Sequence, residues 1–358
     1  MQRRRMNRCV IRLLALFAFV AIEPLRATDA AARPEPAEGL PDGLYAEVTT
    51  PRGVVISELF YKKAPMTCAN FVGLAEGALG PAPRKPFYDG QKFYRVVPGF
   101  VIQGGDNVRP DVSDPGYWFP NEIVPGLRFD SVGVMSMGNE DDPNTNGSEF
   151  CFMLGSAPHL DYAFPIFGHV VRGLEVLPLI QPGDPMQVKI LRVGPDAQKF
   201  RVDEKMFAAL VARAPRPALP HFGDWFDSLL PADSAERVKY YEAKLAALQL
   251  VTGVQACVRL RDKFDPAFTG QTMQQRADDY RARLRLGHDA VLALYFAAED
   301  QWVLAAGARP GLKLPDYTHR TGPQPAADQA EEMKKERKRV SKTVVEVVNG
   351  LITQFEPK

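Results

Sequence analysis

Arginine, phenylalanine and glutamine stand close together in the apolar run Phe93-Tyr94-Arg95-Val96-Val97-Pro98-Gly99-Phe100-Val101-Ile102-Gln103-Gly104-Gly105-Asp106. Farther along comes the polar stretch Asn144-Thr145-Asn146-Gly147-Ser148-Glu149-Phe150. Strict alternation along one strand would put Phe100 on the face opposite Arg95 and Gln103. Pro98-Gly99 breaks that strand and resets its phase, so all three side chains are expected on one surface. A surface with a fixed cation, an aromatic ring and an amide suits a peptide.

One reaction needs this trio and little else. Rotation about an X-Pro bond passes through a twisted amide against a barrier of about 18–20 kcal/mol, set by resonance between the nitrogen lone pair and the carbonyl. No bond is broken and no group is transferred, so a catalyst needs neither nucleophile, metal nor titrating base; it must bind the twisted state better than the planar ones. A guanidinium can donate to the prolyl nitrogen as its lone pair localises, an apolar pocket can grip the pyrrolidine ring, and amides can hold the flanking main chain. Such chemistry predicts activity nearly flat from about pH 6 to 8.

At these residues the chain resembles the cyclophilins, the barrel family of peptidyl-prolyl cis-trans isomerases. The resemblance runs from Asp42 to about Val193 and includes Ala64-Pro65-Met66-Thr67-Cys68-Ala69-Asn70-Phe71, the run around Arg95, Gly133-Val134-Met135-Ser136-Met137-Gly138-Asn139, Pro143-Asn144-Thr145-Asn146-Gly147-Ser148 and Phe167-Gly168-His169-Val170-Val171. It implies that Arg95, Phe100 and Gln103 are catalytic. It also implies that Phe100, Val101, Leu160 and Phe164 line a proline pocket, and that Gln103, Gly138 and the Asn139 backbone hold the substrate main chain. Glu149, Cys151 and His159 complete the implied substrate-binding set, which puts His159 near the groove, where its ionisation close to the ordinary value of about 6.5 is the one expected modulation of the pH profile. The family usually has glutamine where this chain has Glu149, an aromatic where it has Cys151, often tryptophan at His159 and often histidine at Phe164. The loop Asn139-Glu140-Asp141-Asp142-Pro143 is one residue longer than the common form, and its carboxylates with Glu149 are expected to favour basic residues beside the client proline. An alternative reading is a proline-peptide binding module with little turnover.

The chain has 358 residues and a formal net charge of +1. Residues 1–27 hold six arginines and one glutamate, leaving about −4 on the rest, which argues against nucleic acid as a partner. Arg3-Arg4-Arg5 and Arg8 precede an apolar stretch from Val10 to Ile22, and small residues follow at Ala27 and Ala30. This reads as a signal peptide over 1–27 with cleavage near 27–30, too short for a stable membrane span, and implies an exported, periplasmic or secreted protein. Cys68, Cys151 and Cys257 beyond it read as buried unpaired thiols. No cofactor is expected, and no metal, since His159, His169, His221, His288 and His319 are scattered. His169 reads as structural.

The elements that must position these residues follow from turn chemistry. Residues 28–41 read as a flexible lead-in. Leu44–Thr49 and Val54–Phe60 predict a hairpin, Pro65 to Gly77 a short helix, Tyr88-Asp89-Gly90-Gln91 another hairpin turn, and Asp106 to Phe119 a long polar loop. Many short strands punctuated by glycine predict a mainly β fold: a closed antiparallel barrel with capping helices over 42–196. A helix-rich α+β domain of unknown function is expected over 200–358, able to bind a protein partner. Its elements are helical spacing at Val202–Arg213, an amphipathic segment from Ser234 to Arg261, a hairpin about Glu299-Asp300 and a helix from Ala326 to Phe355 with Val344, Val347, Val348, Leu351 and Phe355 on one stripe.

Overall fold

Proline and glycine mark out the first hairpin. A computed structural model describes residues 38–105, 115–139, 143–215, 234–261, 271–284, 286–309, 311–326 and 328–356. In it β1 (Gly43–Thr50) and β2 (Gly53–Leu59) pair antiparallel. Thr50 Oγ1 closes their turn by donating to Gly53 O at 3.0 Å and accepting from Arg52 N at 3.1 Å. The leader expected over 1–27 lies outside the described residues.

Helix α1 (Pro65–Ala75) starts at a proline and is followed by Gly77, whose φ of +71° is left-handed backbone that glycine adopts without strain. Its N-cap, Ala64, has no side-chain acceptor. The cap comes instead from Glu122, whose carboxylate accepts from Met66 N at 3.1 Å, Thr67 N at 2.7 Å and Thr67 Oγ1 at 2.9 Å. Burial pushes the Glu122 carboxyl up, and these donors oppose the rise. Glu122→Ala is expected to cost about 1–2 kcal/mol of stability, the range of a lost helix cap, read as a lower urea midpoint.

Six further strands follow: β3 (Arg95–Val97), β4 (Val101–Gly104), β5 (Val134–Met137), β6 (Phe150–Met153), β7 (Ile166–Arg172) and β8 (Gln187–Val193). With β1 and β2 they form one antiparallel sheet in the order β3-β4-β6-β5-β7-β2-β1-β8. The fold is mainly β and antiparallel as expected, but the ladder curls into a half-barrel ending at β3 and β8 rather than closing strand to strand. The gap is spanned by the segments leading into those edges. Phe93 N donates to Asp184 O at 3.0 Å, Met186 N to Gln91 O at 2.8 Å and Gly90 N to Met186 O at 2.9 Å. Tyr88 to Gln91 is therefore a turn feeding this closure, with Gln91 N bonded to Tyr88 O at 3.0 Å, and not the tip of a two-strand hairpin.

Alternation divides the sheet's two faces. Ile102, Met135, Phe150 and Phe152 point inward, fully buried with Phe71 and Phe167. Val101, Val134, Cys151 and Met153 point outward into a second apolar cluster. Helix α2 (Pro195–Lys199) follows the barrel, then α3 (Glu204–Arg213), N-capped by Asp203, which accepts from Met206 N at 2.7 Å. Phe207 of α3 packs on the rings of Tyr117 and Phe119, at 5.1 and 5.8 Å between centroids, so this helix shares the barrel's core.

The rest of the chain builds its own core. Its elements are α4 (Ser234–Thr252), β9 (Ala256–Arg261), α5 (Met273–Arg283), β10 (Val291–Phe296), β11 (Gln301–Ala305) and α6 (Ala330–Phe355). The three strands form a sheet in the order β11-β10-β9, with β9 and β10 parallel and β10 and β11 in the expected hairpin. The single amphipathic segment expected from Ser234 to Arg261 is corrected. Gly253, at φ +73°, ends the helix, and the alternating residues after it form β9. Val344, Val347, Val348 and Leu351 of α6 are buried with Leu245, Leu248 and Val258, as the stripe predicts, and Phe355 packs at the margin. No helix among the described residues is long and apolar enough to cross a membrane.

The end of α6 meets the barrel at Glu356. Its carboxylate accepts from Gly126 N at 2.6 Å, Tyr162 OH at 3.0 Å and the Arg128 guanidinium. Arg128 also reaches Asp161 at 3.3 Å.

Candidate active site

Gly99, at φ +72°, turns the chain between β3 and β4, and the hairpin register sets Arg95 opposite Gln103 and Val97 opposite Val101. Beyond β4, Gln103 faces Cys151 of β6, and Cys151 faces Ser136 of β5. Residues directly opposite one another project to the same side. Arg95, Gln103, Cys151 and Ser136 therefore form one row across the outer face of the sheet. The Pro98-Gly99 phase reset expected from the sequence takes the form of this hairpin, and Phe100 lies on the same side. The Arg95 guanidinium sits 5.7 Å from the Phe100 ring centre, and His159 stacks on that ring at 5.9 Å and 20°.

Val101, Cys151 and Met153 floor an apolar cluster to which Phe100, Leu160 and Phe164 contribute as half-buried walls. Cys151 stands where an aromatic was the expectation. Its thiol is buried, 2.9 Å from Ser136 Oγ, and burial pushes it up to about 12, which leaves it protonated and inert. Phe150 and Phe152 are both turned inward and add nothing to this face. Cys68 and Cys257 are likewise free and buried. His169, with Nδ1 at 2.9 Å from its neighbour's carbonyl, Val170 O, lies within β7.

A chain of polar contacts fixes the amide of Gln103. Arg95 Nη1 donates to Gln103 Oε1, Gln103 Nε2 donates to Glu149 Oε1, and Tyr94 OH donates to the same oxygen at 2.6 Å. A carboxylate accepts only, so Glu149 takes the NH₂ end of Gln103 and leaves its oxygen towards Arg95. Glu149, expected as part of a negative field in the groove, is thus an anchor for Gln103. The rest of that field, Glu140, Asp141 and Asp142, lies outside the described residues. Glu149→Leu, which removes the acceptor from both partners, is expected to lower catalytic efficiency about tenfold, equivalent to one ordinary hydrogen bond, in a peptide isomerisation assay.

Gly138 N donates to Glu149 O at 2.9 Å, and a Cβ on Gly138 would come within 2.6 Å of the Glu149 carboxylate. Glycine there leaves Glu149 its place. The Asn139 side chain donates to Asn121 Oδ1 at 3.2 Å, and Asn146 donates to the same oxygen at 2.8 Å and to Phe119 O at 3.1 Å. These bonds hold the 143–148 stretch as a structured turn against the loop before β5.

His159 departs from its expected titration. Partial burial, with the Lys244 ammonium nearby, lowers its pKa below the ordinary histidine value, against a smaller rise from Asp161. Sequence reasoning also missed Tyr94, Ser136, Met153 and Phe129. Met153 was accessible to it, standing two residues from Cys151 on the same strand face. Tyr94 was not, because it precedes β3 and escapes that strand's alternation.

The family model for the cyclophilin type peptidyl-prolyl cis-trans isomerases matches residues 45–194. Peptidyl-prolyl cis-trans isomerase A of Mycobacterium tuberculosis is 44% identical over 133 residues, covering 35% of this chain and 72% of that protein. The chain belongs to the cyclophilin family. A human relative, peptidyl-prolyl cis-trans isomerase-like 1, is 39% identical over 137 residues, covering 37% of this chain and 76% of its own length. A crystal structure of a cyclophilin-type isomerase from Cryptosporidium parvum, determined in the presence of the dipeptide Ala-Pro, is 28% identical and covers 42% of this chain and 99% of its own, with a TM-score of 0.36. The cyclophilin match ends at the close of β8, so α4 to α6 and the small sheet lie beyond it.

Proposed function

We propose that this cyclophilin accelerates X-Pro rotation in proline-containing polypeptides during the folding of exported proteins. One observation carries the reading: Arg95 is held at the rim of an apolar pocket by Phe100 and by a Gln103 whose orientation Glu149 fixes. A guanidinium so placed donates to the prolyl nitrogen as the amide twists, while Phe100, Val101, Leu160 and Phe164 grip the ring. Gln103, Gly138 and Asn139 hold the main chain on either side. Electrostatic donors fixed in advance lower the barrier because they need no reorganisation at the twisted state. Export rests on the arginines and apolar run of residues 3–22, and slow proline isomerisation limits folding over tens of seconds wherever such clients emerge.

Exchange NMR on an Ala-Pro tetrapeptide with the full chain tests the activity. Faster cis-trans exchange supports it. Saturable binding without faster exchange favours the second reading, a proline-peptide binder, for which the missing aromatic at Cys151 is the specific ground. Fusing residues 1–35 to a reporter that is active only outside the cytoplasm tests export.

A further inference from the structure

The turn Pro158–Leu160 carries Leu160 of the pocket wall and the His159 ring stacked on Phe100, yet it has no buried residue of its own. Within the barrel it is tied at its ends, where Ala157 N donates to Phe129 O at 2.7 Å and Asp161 accepts from Phe129 N at 2.8 Å. Its middle is held from elsewhere. Lys244 Nζ of α4 donates to His159 O at 2.9 Å and to Asn349 Oδ1 of α6 at 2.6 Å, and Tyr240 OH donates to the same His159 carbonyl. The Lys244 residue is only 1% exposed. A buried ammonium is costly unless its donors are used, and packing alone would be met there by an apolar side chain.

We propose that Lys244 is a positioning residue for the isomerase site, fixing through the His159 carbonyl the turn that sets His159 and Leu160 against Phe100. The region beyond the cyclophilin match thereby becomes part of the catalytic device. The groups facing the ammonium are Asp161 and Arg128 of the barrel, with Glu356 beyond Arg128, His159 above, Asn349 of α6 and the Tyr240 ring at 5.6 Å. Burial, with a further push from Arg128 and against Asp161, drops the lysine to about 7, so its charge changes within the working range of the enzyme. The ammonium in turn lowers the titration of His159.

The inference rests on the isomerase reading, and its test separates the two. Full-length wild type, Lys244→Met and Lys244→Gln are compared for turnover and KM on an Ala-Pro peptide from about pH 6 to 8, and for the His159 imidazole titration by NMR. Lys244→Met is expected to raise KM about three- to tenfold, the size of one lost hydrogen bond, with kcat changed less than about twofold. His159 should titrate higher in this variant, and the pH dependence of KM should flatten. Lys244→Gln keeps an uncharged N–H one bond short of the ammonium, so it should recover part of the KM loss but not the pH profile. Wild-type KM and an unmoved His159 titration in folded Lys244→Met would overturn the proposal. Should Lys244→Met fail to fold, a Lys244→Gln variant with the wild-type pH profile would overturn it equally. Absence of turnover in wild type would sink the isomerase reading alone, since peptide Kd and the His159 titration still decide the role of Lys244.

Discussion

Arg95→Ala is expected to lower kcat/KM by roughly 10²–10³-fold, about 2.7–4 kcal/mol of lost transition-state stabilisation, while the protein stays folded. The fold should survive because Arg95 is exposed at the rim of the sheet, and surface substitutions of this kind change stability by no more than about 0.5 kcal/mol. The effect should fall on kcat more than on KM. The planar amide of the ground state offers the guanidinium no localised lone pair, whereas the twisted state does. Arg95→Lys should rescue poorly, because an ammonium cannot keep a planar fork between Gln103 and the prolyl nitrogen. Exchange NMR with matched circular dichroism checks both halves, and wild-type turnover in a folded alanine variant would remove Arg95 from the mechanism.

Arg128→Ala is the second large effect, this time on stability. Arg128 and Glu356 are 18% and 11% exposed, so theirs is a partly buried ion pair, and Arg128 also reaches Asp161 and lies 5.4 Å from the Tyr162 ring centre. Removing one partner of a fully buried pair typically costs about 3–5 kcal/mol, and for this partly buried one the expected loss is about 1.5–3 kcal/mol. Urea unfolding should show a lower midpoint, by that free energy divided by the m-value. The double variant Arg128→Met with Glu356→Met should recover most of the loss, because the penalty is the stranded charge more than the missing attraction. A single variant with an unchanged midpoint would mean that the end of α6 does not dock on the barrel in solution.

Both predictions depend on contacts of very different range. Arg95, Phe100 and Gln103 were legible in the sequence because eight residues and one Pro-Gly turn place them, and turn chemistry acts locally. The same holds for the β1–β2 hairpin, for α1 between Pro65 and Gly77, and for the apolar stripe of α6. Each is written in a period of two or 3.6 residues or in a glycine or proline at a fixed offset. Where local signals compete, the reading failed. The residues from Ser234 to Arg261 carry apolar positions compatible with a helix throughout, and only the left-handed Gly253 and the pairing of β9 with β10 turn the last part into a strand.

Glu149 reads in the sequence as one more acid near the groove. Only the sheet register, which joins residues 46 and 55 positions apart, shows that its carboxylate is spent on Gln103 and Tyr94. Likewise His159 reads as a histidine with an ordinary titration, and a lysine 85 residues later changes that. Sequence by itself determined the kind of chemistry, because a guanidinium, an aromatic ring and an amide are properties of residues. Tertiary structure decided how those groups are oriented and charged, because hydrogen-bond partners and burial are set by chain segments that no local periodicity connects.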